Sequence, residues 1–208
     1  MIKKRIGIIN YGMGNIHSVY NALLSLGIES IVTNNKKELH SCDAFILPGV
    51  GAFPNAIKNL LKLDLVDEIK NQVLNKNKNI LGICLGMQLF ADYSEEGEFN
   101  EGLSLIPGKV IDLSRKITYR VPHIGWNSLL INANSPLFEG IPEKQDFYFV
   151  HRYYFDCHKK YILANTSYEM MVTSVINHNN IYGVQFHPER SHNTGIKLLY
   201  NFTQLENK

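Results

Sequence analysis

The sequence predicts an α/β protein: an open, mostly parallel central sheet flanked by helices, with an antiparallel extension. Three observations carry that expectation. The first half alternates short apolar runs with amphipathic stretches, the βαβα rhythm of a parallel sheet with crossover helices. Those runs are apolar nearly throughout, as strands buried on both faces are. The second half changes to short strand-like runs between turn residues, which suits antiparallel pairing.

The elements follow in order. Arg5 to Asn10 opens the chain as a strand, with Ile6, Ile8 and Ile9 its apolar part. Asn15 is placed to cap a helix that carries Ile16, Val19, Leu23 and Leu26 on one side, and Gly27 closes it. Ile28 to Thr33 is a second strand, and Asp43 to Leu47 a third that ends at Pro48-Gly49. Helical patterns run through Leu60 and again from Leu65 to Leu74, where Leu65, Ile69 and Val73 recur every fourth residue. Ile80 to Ile83 is the next strand, with a helix at Met87-Gln88-Leu89-Phe90. Val110-Ile111, Trp126 to Ile131, Phe147 to Phe155 and Tyr161 to Ala164 are the later strand runs. Met171 to Ile176 and Ile181 to Phe186 flank a hairpin turn at His178-Asn179-Asn180, and a last helix covers Thr194 to Leu205.

A length of 208 residues suits one α/β domain, and residues 1–208 are read as one, without repeats or linkers. The formal charge of +2 gives no basis for nucleic-acid binding. Three cysteines, at 42, 84 and 157, form no framework and fit a reducing cytoplasm. No apolar stretch is long enough to span a membrane.

The chemistry concentrates in two segments. Gly82-Ile83-Cys84-Leu85-Gly86 joins a strand to a helix through a sharp turn, the nucleophile-elbow pattern with cysteine in the serine position. A helix N-terminus there favours a thiolate. Late in the chain, Phe186-His187-Pro188-Glu189 offers a base and its orienter, since strand positions two apart face the same way. Glu189 can then hold one tautomer of His187 and stabilise its charged form. A buried structural cysteine and a satisfied core histidine are the bland alternatives, but a core cysteine needs no glycine-flanked turn. Pro48-Gly49-Val50-Gly51 ends a predicted parallel strand, where glycines can expose N–H groups of Val50 and Gly51 as an oxyanion hole, together with Leu85. Gly12-Met13-Gly14 lacks the third glycine of a dinucleotide fingerprint, because His17 holds that place. His187, His192 and Cys84 match no structural zinc spacing, and a metal would consume the base, so no metal is expected.

These segments resemble the class I (triad) glutamine amidotransferases. Within that family the chain is similar to the glutaminase subunits of imidazole glycerol phosphate synthase. The likeness runs through Tyr11-Gly12-Met13-Gly14-Asn15, Leu47 to Phe53, Val121-Pro122-His123-Ile124-Gly125-Trp126-Asn127 and Tyr148-Phe149-Val150-His151. It implies a flavodoxin-like sheet and a Cys84–His187–Glu189 triad that hydrolyses L-glutamine without a cofactor. It further implies glutamine contacts from Gly51, Gln88, Glu96, Arg152 and Tyr153. It implies a heterodimer with a (βα)8-barrel cyclase, met through Tyr11, Asn15, Trp126 and Tyr148, into which ammonia passes during histidine biosynthesis. Asn10, Arg152 and His192 stand where the family pattern leads one to expect Asp, a small hydroxyl residue and Gln. Two other readings share the same residues. One is a paralogous glutaminase feeding another synthase, such as one that amidates a surface sugar. The other is a regulatory subunit with an idle triad, against which the intact triad argues.

Overall fold

A computed structural model of the chain describes residues 4–207. The strands of the first half are β1 (Arg5–Ile9), β2 (Glu29–Thr33), β3 (Ala44–Gly49) and β4 (Asn79–Cys84). Between them lie α1 (Ile16–Ser25), α2 (Lys36–His40), α3 (Phe53–Lys62) and α4 (Val66–Lys70), the last continuing as a π-helical turn at Asn71–Asn75. α5 (Leu85–Gln88) starts directly at the end of β4. β5 (Tyr93–Ser94), β6 (Asn100–Glu101), β7 (Gly108–Asp112), β8 (His123–Ser128) and β9 (Leu130–Ile131) follow. The remainder is β10 (Asp146–His151), β11 (Tyr153–Cys157), β12 (Ile162–Tyr168), β13 (Met170–His178), β14 (Ile181–Val184) and α6 (His192–Gln204).

The central sheet runs β2-β1-β3-β4-β14-β13-β12-β9. Its first five strands pair parallel, and β13, β12 and β9 extend it antiparallel, as the sequence predicts. Alternation along the strands sorts side chains onto two faces. Ile6, Ile8, Ala44, Ile46, Leu81, Ile83 and Val184 pack with Val19 and Leu23 of α1 and Leu198 and Phe202 of α6. Ile9, Phe45, Leu47 and Ile80 pack on the other face with Phe53 and Leu60 of α3, and with Ile69 and Val73. Both faces are thus covered, which is why these strands read as unbroken apolar runs. Among the described residues no helix is long and apolar enough to cross a membrane.

Three expectations change. The run Trp126 to Ile131 is divided between β8, which pairs with β10, and β9, which pairs with β12 in the central sheet. The run Phe147 to Phe155 is not one strand: β10 pairs with β8, while β11 pairs with β7 in a separate four-stranded sheet, β11-β7-β5-β6. The chain crosses between the two sheets at Arg152. The buried positions register the crossing, because Phe147, Phe149 and His151 alternate and then Tyr154 and Phe155 are buried in succession. α2 was not anticipated, since its five residues contain a single apolar one, Leu39. It is held by a cap instead, Asn35 accepting from the Lys37 N–H at 2.9 Å.

Candidate active site

β4 ends at Cys84, whose backbone sits at φ 55°, ψ −111°, outside the regions that L-residues favour. The strand–helix junction forces it there. β3 lies directly alongside, with Gly49 opposite Cys84. A Cβ on Gly86 would come within 1.8 Å of the Leu47 carbonyl oxygen, and one on Gly82 within 2.6 Å of the Met87 nitrogen. Only glycines let α5 turn this tightly off the sheet, and the turn lifts the sulfur into a pocket.

That pocket has a volume of about 420 Å³. Cys84, His187, Val50, Gly51, Leu85, Gln88, Glu96, Arg152 and Tyr153 all line it, so the residues predicted for nucleophile, base, oxyanion site and substrate contacts meet in one place. Pro122, Val150 and His151 complete the wall. A larger hollow of about 780 Å³ lies around Asn132, Ser135, Pro136 and Glu139, and neither Cys84 nor His187 lines it.

His187 and Glu189 approach for a different reason than strand alternation. β14 stops at Val184, and Pro188–Arg190 forms a 3-10 turn that folds Glu189 back under the imidazole. His187 Nδ1 lies 2.9 Å from Glu189 Oε1, with both side chains almost wholly buried. Burial disfavours the imidazolium, but Cys84 and Glu189 outweigh it, and His187 is pushed up to about 10. Nε2 of His187 is buried without a partner at full hydrogen-bond geometry, and the Cys84 sulfur exerts the strongest pull on its proton.

Asn15 occupies the N-cap position of α1, but its side chain makes no capping hydrogen bond. Its Nδ2 donates to Glu189 Oε1 at 3.2 Å, and its Oδ1 accepts from Ser18 Oγ at 2.8 Å. Both groups on Glu189 thus use one oxygen, and Oε2 is buried and unpartnered. Tyr11, expected on a partner face, is 1% exposed. Its hydroxyl lies beside Gly49 with no partner, and burial first, then Cys84, pushes its ionisation well above the usual tyrosine range. Of the residues expected at the partner face, Trp126 is exposed and Tyr148 half-buried. His192, also exposed, stacks on Trp126 with ring centroids 4.6 Å apart and planes 5° from parallel.

Two of the pocket's lining residues, Glu96 and Arg152, are charged. Glu96 Oε2 accepts from the Phe53 N–H at 2.9 Å, and burial raises its carboxyl. Arg152 reaches Asp112 Oδ2 through Nε at 2.9 Å and a terminal nitrogen at 2.8 Å. Burial opposes ionisation of Asp112, yet Arg152 and Ser114 hold its carboxyl below the usual range. In the wall, His151 Nδ1 lies 2.8 Å from the Tyr153 carbonyl, and its Nε2 lies 3.1 Å from His123 Nδ1. Burial lowers both rings, His123 to about 4 and His151 to about 3, and their mutual proximity adds to this for His151. The carbonyl can only accept, so His151 donates from Nδ1, and His123 in turn donates to His151: a chain of neutral imidazoles.

Residues 7–205 match the glutamine amidotransferase class-I family. The chain belongs to that family. It is 42% identical over 200 residues to imidazole glycerol phosphate synthase subunit HisH 1 of Campylobacter jejuni (strain 81-176), an alignment covering 96% of this chain and all of the relative. It is 46% identical over 197 residues to the subunit HisH of Bacillus cereus (strain B4264), covering 95% and 93%. Among solved structures it superposes on PurLQS from Thermotoga maritima with a TM-score of 0.74 at 17% identity, covering 97% and 98%. The last likeness concerns the fold alone.

Residues that sequence reasoning passed over include Asn15 as a partner of Glu189, the His123–His151 pair, and Gln185. Only the last left a signal: it is a polar residue inside the apolar run Ile181 to Phe186.

Proposed function

We propose that the chain hydrolyses L-glutamine at Cys84 and delivers the ammonia to the (βα)8-barrel cyclase of an imidazole glycerol phosphate synthase. The observation that carries the chemistry is Cys84 lifted into a pocket beside a buried His187 that Glu189 orients at 2.9 Å. The cyclase assignment rests on relatives 42% and 46% identical over nearly the whole chain.

The Cys84 thiolate attacks the side-chain amide carbon. The oxygen takes up negative charge opposite the N–H groups of Gly51 and Leu85, the first turn of α5 having no partners for its N–H groups within the helix. His187, held as imidazolium by Glu189, gives its proton to the departing amine, and ammonia leaves a thioester on Cys84. Water then gives His187 a proton while its oxygen attacks the thioester. The intermediate expels the sulfur as thiolate, glutamate departs with its carboxyl proton passing to water, and the Cys84 thiolate and His187 imidazolium stand as at the start. Glu96 takes the substrate ammonium, while Gln88 and the backbone at Arg152 and Tyr153 hold the rest. Residues 1–208 act as one domain, and Trp126 and Tyr148 meet the cyclase.

A second reading keeps the chemistry and changes the partner to a paralogous synthase. The His192–Trp126 stack and the Arg152–Asp112 pair favour it, because they place unexpected side chains on the docking face and at the pocket mouth. Cys84→Ser separates chemistry from fold: it is expected to keep the fold and lose glutamine hydrolysis by several orders of magnitude. Full activity in that variant refutes the glutaminase assignment. Growth of a histidine auxotroph lacking this subunit, complemented with this chain and its own barrel partner, supports the cyclase. Failure with hydrolysis intact favours the paralogue.

A further inference from the structure

We propose that Gln185 is a further working residue of the site: its buried side-chain amide donates a hydrogen bond to the Cys84 sulfur and ties that sulfur to Gln88 in the pocket wall. The proposal rests on the glutaminase reading for its consequence, but its geometry stands apart from it.

Gln185 follows β14, the strand next to β4, and is 0% exposed. Its Nε2 lies 3.6 Å from Cys84 Sγ, within reach of a hydrogen bond to sulfur. Its Oε1 lies 2.9 Å from Gln88 Nε2, and that nitrogen is also 2.9 Å from the Tyr153 carbonyl oxygen. These distances assign the amides without any hydrogen being located. A carbonyl oxygen only accepts, so the Gln88 atom facing it is nitrogen. Two amide nitrogens cannot serve each other, so the Gln185 atom facing Gln88 is oxygen. The remaining Gln185 atom, the one that faces the sulfur, is therefore nitrogen.

Three consequences follow from that assignment. Both hydrogens of Gln88 Nε2 are spent on Tyr153 and Gln185, which leaves the Gln88 oxygen as the group free to accept from a ligand in the pocket. An amide N–H can only donate, so it stabilises the thiolate of Cys84 more than the thiol. Finally, a contact to Gln88 is passed through Gln185 to the nucleophile in two hydrogen bonds. A merely space-filling residue here would be apolar, as its neighbours Val184 and Phe186 are, because burying an amide costs free energy unless its hydrogen bonds are made.

The test reads the thiol directly. The titratable and charged groups that share the pocket with the sulfur are His187, Glu96, His151, Arg152 and Tyr153, with Tyr11 beside Gly49, and none of them is substituted in the Gln185 variant. Iodoacetamide alkylation of Cys84 is followed across pH by peptide mass spectrometry in the full chain and in Gln185→Met, which keeps the side chain's length. Cys42 and Cys157 stay dark at neutral pH, burial pushing the first up and the second up to about 12. The Met variant is expected to show the rise of labelling with pH displaced upward by about one pH unit, so that it labels about tenfold more slowly on the acid side of that rise, with the same plateau in alkali. A superimposable profile overturns the proposal. If the Met variant fails to fold, the side-chain amide resonance of Gln185 in the unsubstituted protein decides: it is expected to titrate in step with Cys84 and to shift when Cys84 is alkylated, and an amide indifferent to both overturns it. Glutamine turnover by the unsubstituted chain is assayed alongside with its own barrel partner and acceptor substrate present. A complex whose Cys84 alkylates as described but which does not hydrolyse glutamine refutes the glutaminase reading and leaves the Gln185 result intact.

Discussion

Replacing Cys84 by alanine and, separately, by glycine isolates the strain in the elbow. Both variants lack the sulfur and both are expected to be inactive, so they differ by one methyl group. At an ordinary position glycine is the less stable of the two by about 0.5–1 kcal/mol, through the extra freedom of the unfolded chain. At φ 55°, ψ −111° any residue with a Cβ carries a backbone penalty of about 1–3 kcal/mol, and alanine retains it while glycine does not. The order therefore reverses: the glycine variant is expected to be level with the alanine variant or more stable by up to about 2 kcal/mol. Urea unfolding of the two reads the difference, and in a domain of this size each kcal/mol moves the melting temperature by roughly 2–4 °C. An alanine variant that is more stable by about 1 kcal/mol would show that the elbow is relaxed, and the mechanical account of its two glycines would fail with it.

Two further outcomes are expected. Glu96→Gln keeps an acceptor for the Phe53 N–H but removes the charge, and is expected to raise KM for glutamine by about tenfold or more with kcat within a few-fold; an unchanged KM places the substrate ammonium elsewhere. His123 and His151 have folded-state values near 4 and 3, below the ordinary 6.5, so their stabilising contribution is present above pH 6.5 and is lost as pH falls toward those values. Unfolding free energy is expected to decline by up to about 1.4 kcal/mol per pH unit for each ring below pH 6.5, and a flat profile from 6.5 to 5 refutes the neutral pair. His187 does not oppose this, because its raised value makes its contribution complete below 6.5 and lost only as pH rises through about 10.

What the sequence disclosed depended on whether the cause was local. The parallel half was legible because strands such as Ile6 to Ile9 and Ile80 to Ile83 are apolar on both faces, and that pattern has one common structural solution. Cys84 was legible because two glycines two residues away on either side have a steric purpose. His187 and Glu189 were correctly paired, but the expected strand was a 3-10 turn, since two extended residues and a tight turn both bring i and i+2 together. The roles of Asn15 and Tyr11 were not legible. Asn15 looks like a helix cap, and only the return of the chain at Glu189, far away in sequence, gives its amide a better acceptor. Tyr11 looks like a loop aromatic until the packing of β3 against the loop after β1 closes over it.

The break between β10 and β11 has a mechanical consequence. Val150 to Tyr153 is the shorter of two covalent spans between the two-stranded ribbon and the small sheet, the other running from β7 to β8, and it forms part of the pocket wall. On one side the ribbon is fastened to the base itself, the His187 N–H donating to the Tyr148 carbonyl at 2.9 Å and Ser191 Oγ accepting from the Tyr148 N–H at 3.0 Å. On the other, the Tyr153 carbonyl anchors Gln88 and His151. The ribbon's outer surface displays Ile124 and Trp126 to solvent. The ribbon that carries this exposed surface is thus hydrogen-bonded at one end to the backbone of His187 and Ser191, and continues at the other into the segment that holds Gln88 and His151.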